Sequence, residues 1–353
     1  MNRKFYVSLL AFALTLLATV AFVVGHNTGT RAASTNAALA ALPASDFVIG
    51  IDAQRALNET LPSFLVNNPA QLAKLNARLE EFQRKTGINP RSFESIAIGG
   101  RFTAARRHDP RMVVIARGNF NADEMVDAAF AAAKAKGEKI EKEEQRYEGK
   151  RIILISSTRS LKTEDEMSKD STAATPGAAS RRDKMAIAVL DNNTLAVGEL
   201  ESVSAAVDAG LGRNRVDDEL VKLATQTPNA VVGFSGKVPQ SFTDKASPNS
   251  TIEKYFASIR QFYGAFSANG TEAETSLTLR TETAEQANDI GQALNTIKSL
   301  SAFGFSRSSG GDSSKADSLA DIIKSLSITI QGNEIQINLS IPQGSIAPFM
   351  RTF

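Results

Sequence analysis

A chain of 353 residues, 42% hydrophobic and 22% charged, is ordinary globular material with room for about two domains, and a formal charge of +2 shows none of the basic surplus of a dedicated nucleic-acid binder. Cysteine is absent, which excludes disulfides, thiolate nucleophiles, cysteine-ligated zinc and a lipidated N-terminal cysteine. The only histidines are His26 and His108 and there is no tryptophan, so imidazole chemistry beyond the N-terminal segment rests on His108 and stacking falls to Phe and Tyr.

Arg3 and Lys4 precede an uninterrupted apolar run from Phe5 to Gly25. At about 1.5 Å per helical residue it spans roughly the 30 Å of a bilayer core. Positive charge ahead of the run, and only Arg31 soon after it, places the N-terminus in the cytoplasm and everything downstream outside. Two readings of residues 1–26 stay open. Length favours an uncleaved signal anchor, whereas Ala18, Ala21 and Gly25 supply the small residues of a removed signal peptide. Residues 27–42 are rich in Ala, Thr, Asn and Ser without an apolar period and read as a flexible linker.

A first α+β unit is expected over 43–212. Asp46 to Asp52 predicts a strand. Asn68 and Pro69 supply an N-cap and N1 proline for a helix marked by Leu72, Leu75, Leu79 and Phe82 and closed by Gly87. Ser95 to Phe102 and Met112 to Gly118 predict a hairpin whose long loop is the polar stretch Thr103 to Arg111. Asn121 and Glu124 begin a helix that ends at Gly137, with Met125, Ala128, Ala129 and Ala132 as a flat face. Charged Glu138 to Tyr147 predicts an edge strand and Ile152 to Ile155 an interior one. Residues 158–184 have no period and read as a disordered loop. An added hairpin turning at Asp191 to Asn193 and a helix over Ser202 to Leu211 complete the unit.

The second unit, 213–353, repeats the order. A strand follows Pro228, and Ser250 caps a predicted helix with Ile252, Tyr255, Phe256, Ile259 and Phe262 on one face, ended by Gly264. Strands over Ala265 to Ala268 and Glu274 to Arg280 come next. Thr283 and Gln286 form a capping box for a helix carrying Ala287, Ile290 and Leu294, and Ser327 to Ile341 is a hairpin turning at Gly332 and Asn333. The element order β-α-β-β-α-β thus occurs twice. The expected fold is α+β, two tandem ferredoxin-like (split βαβ) units with antiparallel sheets and helices on one face. One continuous, strongly curved sheet built from both units is the alternative.

Two clusters are candidate contacts. Arg101, Arg106, Arg107, His108 and Arg111 lie in the expected hairpin loop, where clustered arginines suit anionic groups; a solvated loop neutralised by Asp109 is the competing reading. Tyr255, Phe256, Ile259 and Phe262, with Tyr263, could line an apolar groove, against ordinary core packing of a helix face. His108 beside Asp109 lacks a third partner for acid–base work. Gly233 to Gly236 lacks the spacing of a nucleophile turn, and Gly210 and Gly212 follow a helix rather than the strand a dinucleotide fingerprint requires. Asp217, Asp218 and Glu219 read as a helix start rather than a calcium loop.

With its single membrane segment, repeated strand and helix units and the proline-led opening LPASDFVIGID at Leu42 to Asp52, the chain resembles uncharacterised bacterial envelope proteins. The resemblance implies location and fold, and no active site. The functional expectation is a membrane-tethered extracytoplasmic binding or scaffolding protein without catalytic activity, cofactor or metal, whose partner is an envelope protein or lipid. A carrier of an apolar or lipid-like ligand and a carboxylate-dependent hydrolase are the alternatives.

Overall fold

Ile152, Ile153, Leu154 and Ile155 are all buried, so strand β5 (Lys150–Ser156) carries apolar side chains on both of its faces. Such a strand needs cover on both sides. That requirement decides the architecture. The computed structural model describes residues 32–103, 106–135, 137, 141–156, 184–239, 258–268, 271–305 and 322–343. Its strands are β1 (Phe47–Asp52), β2 (Phe93–Thr103), β3 (Arg106–Gly118), β4 (Glu141–Tyr147), β5, β6 (Lys184–Asp191), β7 (Thr194–Glu199), β8 (Val232–Lys237), β9 (Ile259–Ala268), β10 (Glu272–Thr281), β11 (Ser327–Gln331) and β12 (Glu334–Pro342).

All belong to one 12-stranded sheet, in the order β11-β12-β10-β9-β8-β1-β2-β3-β7-β6-β5-β4. Every neighbouring pair is antiparallel. The fold is therefore α+β with a large antiparallel sheet, and the strands do not form two separate ferredoxin-like sheets. In a split βαβ unit the first and second strands run parallel with the third inserted between them; here β1 lies directly beside β2, antiparallel to it, with β8 antiparallel on its other side. The β6–β7 hairpin, the added piece of the sequence, enters the sheet between β3 and β5.

Helices lie on both faces, contrary to the one-sided expectation. One face carries α1 (Ala32–Ala40), α6 (Leu200–Gly210) and α7 (Asp218–Thr225), whose Ala38, Leu39, Val203, Ala206, Val207, Leu220 and Ala224 pack with Val48, Ala97, Ile115, Ile152 and Leu154. The other carries α2 (Ala53–Arg55), α3 (Leu61–Phe64), α4 (Pro69–Thr86), α5 (Ala122–Ala135) and α8 (Ala284–Phe305). Between α2 and α3 the backbone forms a π-helical turn, Ala56–Thr60. Leu57, Phe64 and Leu79 meet Ile51 and Val232; Val126 meets Ile153 and Ile155; Ala287 and Ile290 meet Ile335.

Helix α1 occupies residues 32–40 of the expected linker over 27–42, whose first residues, 27–31, lie outside the described ones. Alanine has the highest intrinsic helix propensity, so an Ala-rich stretch needs no apolar period to be helical. Leu39 and Leu42 then settle over Gly50 and Gly99, where the missing side chains leave room for them. The local signals elsewhere work as read. Asn68 accepts from the Gln71 amide and Gly87 ends α4 at φ 73. Asn121 caps α5, and Thr283 and Gln286 bond reciprocally at the start of α8. Charged β4 is an edge of the sheet, at the end opposite β11. Residues 158–183 of the expected disordered loop lie outside the described residues.

Candidate functional site

From Ile259 on, the predicted aromatic helix is a strand; its start at Ser250 lies outside the described residues. Residues Ile259 and Phe262 belong to β9, where a register shift against β10 leaves one extra residue between Gln261 and Ile259; Phe262 stands opposite Leu279 and Ile259 opposite Thr281, so both lie on the sheet face that carries α8, with Ile259 buried against that helix and Phe262 half-buried. Four consecutive pairings through Tyr263, Gly264, Ala265 and Phe266 with β8 outweigh the helical spacing of the aromatics. Tyr255 and Phe256 lie outside the described residues. The expected hairpin loop Thr103 to Arg111 is also largely strand: Arg101 stands opposite Arg111 and Thr103 opposite Arg106, with a register shift between those pairs. Because β1 pairs with β2 only up to Gly100, and β7 with β3 only from Val113, this end of the hairpin projects past its neighbours as a two-stranded arm.

Arg101 and Arg111 are thereby fixed on one arm, with Arg106, Arg107 and His108 as backbone positions of β3. The Arg111 guanidinium donates to the Glu201 carboxylate at the start of α6, which ties the base of the arm to the sheet's helical cover. Asp46 accepts from the Phe102 amide at 2.7 Å, and the Phe102 ring lies 5.7 Å from that of Phe47.

Beside the arm, register lines up two rows on the face that carries α2–α5 and α8. One runs Gly100, Phe47, Gly236, Phe262, Leu279; the next runs Ile98, Ile49, Phe234, Gly264, Leu277. Each aromatic ring lies over the glycine of a neighbouring strand. A Cβ on Gly100 would fall 2.1 Å from Phe47 Cζ, on Gly236 2.4 Å from Phe262 Cζ, and on Gly264 2.7 Å from Phe234 Cζ. The rings rest on backbone and form a shallow floor in which Phe47, Ile49, Phe234, Phe262 and Leu277 stay half-buried. Sequence inspection misses this floor because its members come from strands far apart in the chain; the one local signal is glycine alternating with large apolar residues in β8 and β9.

Elsewhere polar groups are engaged in structure. Ser235, fully buried, donates to the Leu220 carbonyl at 2.7 Å and is no nucleophile. Asp217 caps α7 through the Glu219 amide, and the Lys237 ammonium bonded to it holds its carboxyl below the ordinary value. Asp52 and Arg55, both buried, link the end of β1 to the approach to β8: Asp52 accepts from the Arg55 amide and the Arg55 guanidinium donates to the Asn229 carbonyl at 2.7 Å. Arg280 bonds Gln261 and Glu334 and lies 5.6 Å from the Tyr263 ring centre. Among the described residues no group of three or more His, Asp and Glu could hold a metal ion, and no helix is long and apolar enough to cross a membrane.

What these features define is an α+β protein with one large antiparallel sheet and an aromatic floor beside a basic arm. No protein-family model matches the chain, and no curated protein matches it. Solved structures similar to it include crystal form III of TP0453, which at 10% identity and a TM-score of 0.43 covers 89% of this chain and 98% of its own. Crystal form I, at 8% and 0.41, covers 89% and 96%, and crystal form IV, at 12% and 0.42, covers 92% and 99%.

Proposed function

We propose that this chain is an extracytoplasmic binding or scaffolding protein of a bacterial envelope, without catalytic activity, tethered by the apolar N-terminal segment. The observation that carries the reading is the half-buried aromatic floor placed beside an arginine-bearing arm on a rigid sheet. An apolar surface on one face of the sheet, beside an arm whose Arg101 and Arg111 project from the other face, suits a partner that is itself amphipathic, such as an envelope protein or a lipid head-group region. Crosslinking in native membranes, affinity purification and identification of what co-purifies tests it. Recovery of a defined partner, lost when Phe47 and Phe234 are both changed to Ser in a variant that still folds, is the expected result; partner recovery indifferent to those changes overturns it.

The repeated element order supports a second part of the same reading, that β1–β5 and β8–β12 are diverged copies. In both, a strand is followed by a hairpin, a helix and a second hairpin whose far strand returns towards the first: β1-β2-β3 then β5-β4, and β8-β9-β10 then β12-β11.

The floor also favours a carrier of an apolar or lipid-like ligand, because Phe47, Phe234 and Phe262 are half-buried rather than fully covered. Native mass spectrometry of the purified protein separates the two readings. A retained small molecule supports the carrier, and a bare mass argues for a protein partner.

A further inference from the structure

The two edges of the sheet are built differently. At one end β4 reads Glu-Lys-Glu-Glu-Gln-Arg-Tyr, a strand whose charges discourage pairing with another chain. At the other end β11 reads Ser-Ile-Thr-Ile-Gln, without a charge, a proline or, in its register with β12, a bulge. Ser327, Thr329 and Gln331 are exposed. Among the described residues no strand pairs with its outer side.

Gly332, at φ 60, and Asn333 make a two-residue turn between Gln331 and Glu334, so that closing pair exchanges backbone hydrogen bonds, as do Thr329 and Ser327 with their β12 partners by alternation. The N–H and C=O groups of Ile328 and Ile330 therefore point outward. The sequence is also nearly symmetric about Thr329. An antiparallel copy turned about that residue would set Ile328 opposite Ile330, Ser327 opposite Gln331 and Thr329 opposite itself. Apolar would meet apolar on one face and hydroxyl or amide would meet its like on the other, the cross-strand matches that stabilise sheets. The outward groups fall in register for this arrangement, since Ile328 and Ile330 would form the hydrogen-bonded pairs and Thr329 the non-bonded pair.

Helix α8 does not obstruct it. A Cβ on Gly291 would fall 2.4 Å from Ile330 Cδ1, and Lys298 donates to the Leu326 carbonyl, so α8 runs along β11 while also packing on β12. With strands about 4.8 Å apart, two helices each centred between β11 and β12 would lie about 10 Å apart across the junction, an ordinary helix-packing distance. At 100° per residue the flank above β11 carries Ala284, Asn288, Gly291 and Asn295, small or amide groups, followed by Lys298, whose ammonium is bonded to the Leu326 carbonyl.

We propose that β11 is a self-association edge: it pairs antiparallel with β11 of a second copy about Thr329, continuing the sheet from one protein into the other. The absence of cysteine makes the test clean. In the full-length protein, oxidation of Thr329→Cys should give a disulfide-linked dimer, because like positions at the dyad stand about 4.5 Å apart between Cα atoms, within disulfide range. Ser327→Cys and Gln331→Cys should each stay monomeric alone and crosslink when mixed. Thr329→Lys, at an exposed position, should weaken association about tenfold by setting like charges face to face, and mixing it with Thr329→Glu should restore it. Failure of Thr329→Cys to crosslink, or equal crosslinking at all three positions, overturns the proposal.

Discussion

Gly50 of β1 and Gly233 of β8 stand directly opposite one another across the strand pair that joins β1–β7 to β8–β12. Each lets a helix descend on the sheet, but the neighbours differ. A Cβ on Gly50 would fall 2.9 Å from the end of the Leu39 side chain, whereas on Gly233 it would fall 1.7 Å from the Ala224 carbonyl oxygen. Leucine can change rotamer; the backbone of α7 must move bodily. Gly233→Ala should cost about 3 kcal/mol or more and Gly50→Ala about 1 kcal/mol, the upper and lower ends of the usual overpacking range. Denaturant melts of both variants check the ranking, and equal losses would mean that α7 is not held against β8.

The same junction marks the limit of what the sequence makes legible. Helix ends at Asn68, Gly87, Asn121 and Thr283 and the hairpin turn at Gly332 depend on neighbours within a few residues, and the structure has them where local chemistry puts them. The pairing of β1 with β8 joins Phe47 to Gly236, and no local pattern specifies such a contact. Tertiary context likewise overrides the helical spacing of Ile259 and Phe262, because the two strands beside β9, β8 and β10, offer ladder partners to a segment rich in β-favouring aromatics. Arginines 101 and 111 were visible as a basic stretch, but the aromatic floor beside them was not, since it is assembled by register across β1, β2, β8 and β9.

At the charged edge, Arg151 donates to Glu144, Asp123 and Asp127, at 2.8, 2.8 and 3.0 Å, joining β4 and β5 to α5. Hydrogen bonds from Arg151 and then Lys142 pull the Glu144 carboxyl down to about 2 from its ordinary 4.5. A carboxylate whose folded value is depressed adds stability that is present above the unfolded value and is lost as pH falls through the folded one. The Glu144 contribution should therefore be complete above about pH 4.5 and gone near pH 2. Because the group is open to solvent, its size should be small and salt-sensitive. Melting of wild type and Glu144→Gln at several pH values checks this: the difference between them should shrink as pH drops from 5 to 2, and a difference that grows would reverse the sign argued here.

The arm makes a separate prediction. Changing Arg106, Arg107 and Arg111 together to Ser should reduce binding of the full-length protein's soluble region to anionic vesicles, with the remaining binding less sensitive to salt. Arg111 also bonds Glu201, so the triple variant removes one partly exposed ion pair, worth at most about 1 kcal/mol. The Arg106 and Arg107 double variant leaves that pair intact and isolates the electrostatic effect. Vesicle flotation unchanged in both variants would reduce the arm to a solvated hairpin.

The network on the opposite face of β9 and β10 tests the strand assignment itself. Tyr263 is 7% exposed and its hydroxyl donates to Glu334 at 3.0 Å, while Arg280 bonds the same carboxylate and Gln261 at 2.9 and 2.6 Å. These four side chains share a face only in the observed register, with Arg280 opposite both Gln261 and Glu334. Tyr263→Phe removes one donor from a carboxylate that keeps its guanidinium partner, and should cost about 1 kcal/mol. Arg280→Ala strips Gln261, which is 6% exposed, and leaves Glu334 with the tyrosine alone, so it should cost about 2–3 kcal/mol. Combining the two should cost less than stripping two independent sites would, or more if the last donor to Glu334 matters most; either way a double-mutant cycle should return a coupling above about 0.5 kcal/mol. Strict additivity would mean that the residues do not meet at Glu334, and the register of β9 against β10 would have to be redrawn.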